Sequence, residues 1–553
     1  MQGNIGGFQH LYPGEEAVAI GSLHAAERGD YVVSTYREHV HAMVGGVSPR
    51  AVMAELFGRA TGCCGRYAIV GETLPFAAAV GYWLRLREAF QFVLCYFGDD
   101  AGNQGTFHET LNMAALWKRP VLFICENNHY QIATEIHRHS AVAEIHRRGS
   151  AYGIDGQRVD GRDVLAVYEA TRAAEQHVRA CNGLCLLECE TDRYSGHSMA
   201  DSGAYRSALE MAELQARDPL TSFRVRAVKE GWLSEADCQE VEQAVRAAVE
   251  DAVRFAAESP QPTELSRNAV YENAGSVRWT TMTRQRNENL GGIGTARPAP
   301  ELQAWEAVNV ALDRAMERDD AVFILGEDVG LFGGSYRVTQ GLYVKYGNRR
   351  VRDTPISENS FVGMGVGAAL SGGRPVIEIM TVNFALLALD AIINMAAKLR
   401  YMSGGQLRVP LVVHMPGGVA KQLAAQHSQR LEHTLMNVHG LRIVTPGKLQ
   451  DSYWQLSQAI TVAEPIVVLE HELLYFSKGP FDAAAIRRRG SDVTLIAWHR
   501  MVAVTMEAAV ELAENDIEAE VIDLRSPRPM DLPLRWCGRR DRGERGRIRV
   551  LRA

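Results

Sequence analysis

Apolar residues recur in two rhythms along the chain. Short unbroken apolar runs, the pattern of strands buried on both faces, alternate with stretches of helical period. FQFVLCYF (90–97) reads as a strand, HETLNMAALW (108–117) as a helix, VLFICENN (121–128) as a strand and LCLLECET (184–191) as another. From 207 to 257 the pattern is long and helical, rich in Ala, Glu and Arg. This alternation predicts a mostly parallel, doubly wound α/β sheet. The rhythm then stops. Residues 258–300 are polar, carry Pro, Gly and Asn, and read as a linker.

A second α/β unit follows. AWEAVNVALDRAMERD (304–319) is an amphipathic helix, and AVFILGED (321–328), RPVIEIM (374–380), VPLVVHM (409–415) and PIVVLE (465–470) are strands. A third unit opens with a strand at SDVTLIAWH (491–499), a helix near 503–514 and a strand at EAEVIDL (518–524). The last twenty residues, 534–553, hold eight Arg and two acidic residues and show neither helical nor strand period. They read as sequence foreign to the fold, the alternative being a basic nucleic-acid tail.

Composition narrows the class. The 553 residues, 46% hydrophobic and 23% charged, describe an ordinary globular chain of several domains. A net charge of -7 gives no basic field, which argues against a nucleic-acid partner. No apolar run reaches 18 residues, so no membrane span is expected. MQGNIGGFQHLYPGEEA lacks the basic and apolar regions of a secretory signal. Together with scattered cysteines, Cys95 and Cys125 lying in apolar runs, it predicts a reducing, cytoplasmic location. Cys185 and Cys189 would stand roughly 13 Å apart on one strand, too far to share a metal with Cys181. Cys63-Cys64 fit no ligand spacing.

The candidate chemistry sits at 98–131. Gly98-Asp99 follow one strand and Asn127-Asn128 end the next, so both tips fall at the carboxyl edge of a parallel sheet, where such folds bind ligands. An Asp carboxylate, an Asn amide and a backbone carbonyl are the hard oxygen donors of a Mg²⁺ carrying phosphate oxygens. Gly102 and Gly105 would let backbone amides approach an anion. Neither the P-loop nor the dinucleotide glycine spacing is present. For Gly98-Asp99 alone an ordinary polar loop is the better reading; the second tip reverses it.

This stretch resembles the thiamine-diphosphate motif of the 2-oxo acid dehydrogenase family, in its pyruvate or acetoin dehydrogenase branch. HLYPGEEAVAIG, STYREHVHAMVGGVS, IVGETLPFAAAVGY, RVDGRDV and TDRYSGHSMADSGAYR are similar to the α subunit of the decarboxylating component. LGEDVGLFGGSYRVTQGL, RVRDTPISENSFVGMGVGAAL, EIMTVNFA, KLRYMSGGQ, AAQHSQ and VLEHELLY are similar to its β subunit. The resemblance implies two doubly wound thiamine-diphosphate-binding domains plus an incomplete transketolase C-terminal-like α/β domain. The expected bounds are 1–257 for the diphosphate-binding domain, 258–300 for the linker, 301–482 for the pyrimidine-binding domain, 483–533 for the partial third domain and 534–553 for the tail.

The resemblance also implies roles. Asp99, Asn128 and the Tyr130 carbonyl would hold Mg²⁺. Tyr36, Arg37, Val70, Gly98 and Arg193 would line the cofactor's diphosphate side. His197, on an expected mobile loop from Arg193 to Arg206, would be an active-site histidine, and His10 would stand near the substrate entrance. Glu358 would hydrogen-bond the aminopyrimidine, with Glu327 a buried acid beside it and Phe384 stacked on the ring. His427 would move protons as the acyl group passes on. The implied reaction is oxidative decarboxylation of a 2-oxo acid, pyruvate first, with reductive acylation of a lipoyl domain of a dihydrolipoyl acyltransferase. The implied assembly is a homodimer with its site between the two halves.

Four departures from the family keep a second reading open, a catalytically impaired, truncated homologue. Asp100 stands where the family has glycine; two charges about 4 Å apart repel by roughly 4 kcal/mol at an effective dielectric of about 20. GCCGRYAIVG (62–71) is short by about twenty residues against its counterpart in the resemblance, an expectation that removes part of a site wall. The start and the third domain also look curtailed. Leu387 is a lesser departure beside these four, standing where glutamine is usual. An acetoin or branched-chain 2-oxo acid component remains an alternative.

Overall fold

The computed structural model describes residues 5, 9–60, 68–180, 183–262, 271, 301–419, 424–480, 488, 490–498, 501–523 and 549–550. The Cys63-Cys64 pair, Cys181, the shortened stretch up to 67, most of the expected linker and most of the Arg-rich tail lie outside them. The chain forms two compact units, Met1–Arg267 with Met402–Gln406, and Asn268–Tyr401 with Leu407–Ala553. Among the described residues no helix is long and apolar enough to cross a membrane.

The first unit is built on five parallel strands: β1 (Tyr31–Val33), β2 (Val93–Gly98), β3 (Val121–Asn127), β4 (Gly156–Asp160) and β5 (Cys185–Glu190), in the order β1-β2-β3-β5-β4. The apolar runs of the sequence are its buried centre. Leu94, Tyr96, Leu122, Ile124, Leu187 and Cys189 share one face with Val18 and Val167. Those two come from helices Glu16–Ala25 and Val164–Arg179, whose close approach depends on Gly21. A Cβ there would lie 2.6 Å from the Val164 carbonyl oxygen. Asp163 caps the second helix by accepting from the amides of Leu165 and Ala166.

The expected helical stretch 207–257 is three helices, Ala208–Ala216, Pro219–Lys229 and Glu235–Glu258. Ser207, Asp218 and Ser234 each cap a new start. Pro219 cannot donate within the preceding helix, and Gly231 adopts a positive φ, so one continuous rod is broken twice.

In the second unit β6 (Glu301–Gln303) belongs to a small antiparallel ribbon. The main sheet joins β7 (Val322–Gly326), β8 (Val351–Asp353), β9 (Arg374–Glu378), β10 (Val412–Gly417), β11 (Arg442–Val444) and β12 (Ile466–His471). All six are parallel, in the order β11-β12-β10-β9-β7-β8, and β13 (Lys478–Pro480) completes the ribbon with β6. Helices Ala304–Arg318 and Leu449–Thr461 share a core with one face of the sheet through Val308, Leu312, Leu456 and Ile460. Helix Glu358–Leu370 packs against the sheet through Gly365, where a Cβ would lie 2.8 Å from Ile377.

A third sheet holds β14 (Val493–Ala497), β15 (Ala519–Asp523) and β16 (Arg549–Val550) in the order β15-β14-β16, with helix Met501–Ala513 between the first two. β16 corrects the expectation that the tail has no strand character. Arg549 and Val550 pair in parallel with Leu495 and Ile496. Two residues are too few to show a period, so only the open edge of β14 selects them.

Candidate cofactor and catalytic site

Because the sheet of the first unit is parallel, the carboxyl ends of its strands open on one edge. Gly98 of β2 lies in register with Glu126 of β3, and β3 continues into Asn127-Asn128. Thr35, Tyr36 and Arg37 follow β1, and Arg193 follows β5. Glu15, Arg37, Asp99, Asn128, Tyr130 and Arg193 line one cavity at this edge. A neighbouring cavity shares Tyr36, Gly98 and Asp100 and adds Val70. A larger cavity of about 880 Å³ lies against β1 and shares none of these residues. Its lining draws on Glu27, Arg28 and Asp30 beside β1 and on none of the strand-tip residues Asp99, Asn128 and Arg193.

The edge is dense in buried carboxyls. Asp99 is 1% exposed, its Oδ2 has no hydrogen-bond partner among the described residues, and its carboxyl is pushed well up by burial and then by Asp100. Glu15 Oε2 is likewise buried without a partner, and burial raises this acid to about 7, against the pull of Arg37. Asp100 is also pushed up by burial, with the Ala101 amide, His139, Arg37 and Arg193 acting the other way. Its Oδ1 lies 2.9 Å from where a Cβ on Gly98 would stand, so Gly98 is the glycine whose missing side chain the site requires. Gly102 makes room for Arg148. Arg148 Nη1 donates to its carbonyl at 2.6 Å and would stand 3.0 Å from a Cβ there.

Asn128 and Tyr130 flank His129, which holds φ at 67°, a left-handed conformation stored at the tip of β3. Asn128 Nδ2 donates to Glu15 Oε1 at 2.7 Å, and its Oδ1 accepts from the Tyr130 amide at 3.2 Å. The Asn128 amide oxygen keeps a second lone pair for a further donor or cation. Arg193 is 1% exposed and donates to the carbonyls of Gln131 and Ile132 at 2.8 Å, with the Tyr130 carbonyl at 3.4 Å.

The loop from Arg193 to Arg206 is braced from within. Arg193 donates to the Tyr205 hydroxyl, Tyr205 to Asp201, and Arg206 to the Arg193 carbonyl. His197 hangs from this loop, its amide donating to Asp201 at 2.6 Å. Arg37 donates to the His197 carbonyl at 2.9 Å. Burial, then Arg37 and Arg193, push the imidazole down to about 4, so it is neutral at pH 7. His10 meets His197 at 3.2 Å and stacks against Tyr36 with centroids 4.3 Å apart.

Five neighbours escaped the sequence reading. Glu15 and Glu126 lay inside quoted motifs without a role. Tyr12 donates to Glu126, and the buried His41 approaches the same carboxylate at 3.4 Å. His139 faces Asp99 at 3.6 Å. Only the fold brings the last two into the site.

The second unit gathers its own set. Glu358 opens helix Glu358–Leu370 and is buried. Glu327 follows β7, and burial and then Glu358 raise it to about 7. Phe384 meets His427 edge-on, centroids 5.5 Å apart. Asn383 beside it exchanges two hydrogen bonds with Gln429: Nδ2 donates to Gln429 Oε1 at 3.1 Å, and the Gln429 amide returns to Asn383 Oδ1 at 3.3 Å. Leu387 is largely exposed. Among the described residues no three His, Cys, Asp or Glu groups form a metal-binding cluster. A cation here would draw on Asn and backbone oxygens as well.

The first parallel α/β unit sets buried carboxyls beside guanidinium groups, and the second holds the acid pair Glu327 and Glu358 and the Phe384–His427 contact. Residues 1–264 match the dehydrogenase E1 component family, 301–478 the pyrimidine-binding domain of transketolase, and 482–535 the transketolase C-terminal domain. The subunit beta of the pyruvate dehydrogenase E1 component from Cyanidium caldarium is 46% identical over 237 residues, covering 41% of this chain and 72% of the relative. The chloroplastic subunit alpha-3 from Arabidopsis thaliana is 40% identical over 295 residues, 49% of this chain and 68% of the relative. The subunit alpha from Rhizobium meliloti (strain 1021) is 40% identical over 278 residues, 47% of this chain and 80% of the relative. The chain belongs to the dehydrogenase E1 component family, thiamine-diphosphate-dependent oxidoreductases acting on 2-oxo acids, and carries alpha-type and beta-type portions in one polypeptide.

Proposed function

We propose that the chain catalyses oxidative decarboxylation of pyruvate and reductive acylation of a lipoyl group on a dihydrolipoyl acyltransferase. The observation that carries this reading is the buried, unpartnered Asp99 Oδ2 in the cavity that Arg37 also lines. A buried carboxylate oxygen that accepts no hydrogen bond and meets His139 only at 3.6 Å has room for a cation, and a guanidinium in the same cavity suits phosphate oxygens. Mg²⁺ and a diphosphate fit that pair of demands. Asp99, Asn128 Oδ1 and the Tyr130 carbonyl would hold Mg²⁺, while Tyr36, Arg37, Val70, Gly98 and Arg193 would line the diphosphate.

When bound, thiamine diphosphate supplies the carbanion and the electron sink of decarboxylation. The protein's part is to place protons. Glu358 would hold the aminopyrimidine through a ring nitrogen, with Phe384 against the ring face. Glu327, raised to about 7, is poised to keep a proton beside Glu358 near neutral pH. His197 is neutral and able to accept a proton. His427 would serve the acyl transfer. The working form we propose is a homodimer in a reducing, cytoplasmic setting; among the described residues five cysteines are free and buried.

Asp100 favours a second reading, a homologue impaired in cofactor turnover, because it adds a carboxyl where the diphosphate would lie. Purified chain, cofactor and a free lipoyl domain would separate the two. Acylation of the lipoyl domain from pyruvate, exceeding that from acetoin or a branched-chain 2-oxo acid, is expected. Cofactor binding without acylation from any of them would establish the impaired homologue.

A further inference from the structure

Asp99 Oδ2 and His139 Nε2 face each other across 3.6 Å, with side chains 1% and 7% exposed. Neither atom has a hydrogen-bond partner among the described residues. What His139 does for Asp99 depends on which ring nitrogen bears the proton. Arg148 Nη1 donates to Gly102 O at 2.6 Å and to Asn103 Oδ1 at 3.1 Å, which fixes the orientation of the Asn103 amide. Asn103 Nδ2 is then turned to His139 Nδ1 at 3.0 Å. A ring nitrogen that accepts this N–H carries no proton, so the proton of the neutral ring sits on Nε2, facing Asp99. The Ser140 hydroxyl accepts from Asn103 Nδ2 at 3.3 Å and, 3.0 Å from the same Nδ1, is placed to donate to it, which again leaves Nδ1 without a proton.

We propose that His139 is a positioning residue for Asp99, its Nε2–H directed at the carboxylate at the end of an Arg148–Asn103–His139 chain. This rests on the reading of Asp99 as a cation ligand. At 3.6 Å the contact is longer than a hydrogen bond, so the chain sets direction and a small shift of the carboxylate closes it. Groups that orient a metal-ligating carboxylate from outside the coordination sphere commonly govern affinity by about ten- to a hundredfold. The role is specific to a donor at this position, which separates it from mere packing of the ring.

The test uses Mn²⁺ as the probe, with thiamine diphosphate present, and reads free Mn²⁺ and the bound-ion line shape by electron paramagnetic resonance. Wild type is expected to bind. His139→Leu should weaken Mn²⁺ about ten- to a hundredfold at unchanged melting temperature, while His139→Gln, whose amide can still donate, should stay within about threefold. Asn103→Asp tests the same point at an exposed position. Its carboxylate accepts from His139 Nδ1–H, reverses the tautomer, and should weaken Mn²⁺ while leaving the histidine in place. Wild-type affinity in His139→Leu, equal loss in the Gln and Leu variants, or tighter binding in Asn103→Asp would each overturn the role, the last by making His139 a direct ligand. Failure of the wild-type chain to bind Mn²⁺ with the cofactor would instead remove the functional reading on which the role stands.

Discussion

Asp100 is the residue at which chemistry and family pattern disagree most. Its carboxyl overlies Gly98 and is buried beside Asp99, yet Arg37, Arg193 and His139 partly offset its charge. Asp100→Gly should therefore tighten thiamine diphosphate in the presence of Mg²⁺, by about tenfold if ~1.4 kcal/mol of repulsion is relieved. Calorimetric titration of the two proteins reads this directly, and equal affinities would show that the neighbouring cations already cancel the charge. At this scale the sequence displayed Asp99, Asn128, Glu358 and His427 because motifs surround them. His41 stood inside such a motif without a role, and His139 stood outside them all. A lone histidine gains meaning only from what the fold sets against it, here Asp99 and Glu126.

Strands β9, β10 and β12 carry a buried triad that no motif announced. His414 of β10 meets Glu378 of β9 at 2.5 Å and Glu470 of β12 at 3.9 Å, and Ser452 donates to Glu470 at 3.1 Å. Burial alone would push the imidazole down, but Glu378 and Glu470 lift it to about 10. A folded pKa above the ordinary 6.5 gives stability that is full below pH 6.5 and is lost as pH rises through 10. Denaturant midpoints measured from pH 6 to pH 10 should fall for wild type and fall less for His414→Leu. That variant should itself cost about 3–5 kcal/mol at pH 6.5, since it leaves buried carboxyls without their cation. A flat wild-type profile would contradict the triad's charge.

The Asn383–Gln429 exchange is a second device of the same unit, tying the turn of Phe384 to the loop of His427. If His427 serves the acyl transfer as proposed, Asn383→Ala should lower lipoyl acylation about tenfold while turnover with an artificial electron acceptor changes by less than about threefold. Equal losses in the two assays would deny the clamp that role. The interior strands were legible as apolar runs. The three-residue strands β1, β8 and β11, and the polar β4, were not, since edge positions and short length leave no period to read.

On the scale of the whole molecule, the order of the strand–helix patterns was readable because each parallel sheet demands its own set of buried runs. The division into two compact units cuts through one β-type motif, KLRYMSGGQ, whose Met402–Gln406 end groups with the first unit. What the sequence could not convey is how much buried acid the first unit assembles. Glu15, Asp99, Asp100 and Glu126 come from three separate stretches and converge only when the strand tips line up. That convergence is the basis of the central claim, that this edge is built for a cation and a diphosphate together. Calorimetric titration of thiamine diphosphate into the purified chain, with and without Mg²⁺, tests it most directly. The account predicts saturable binding that requires Mg²⁺ and is lost in Asp99→Asn. Absence of binding up to millimolar cofactor with Mg²⁺ present, or binding of equal strength without the metal, would contradict it.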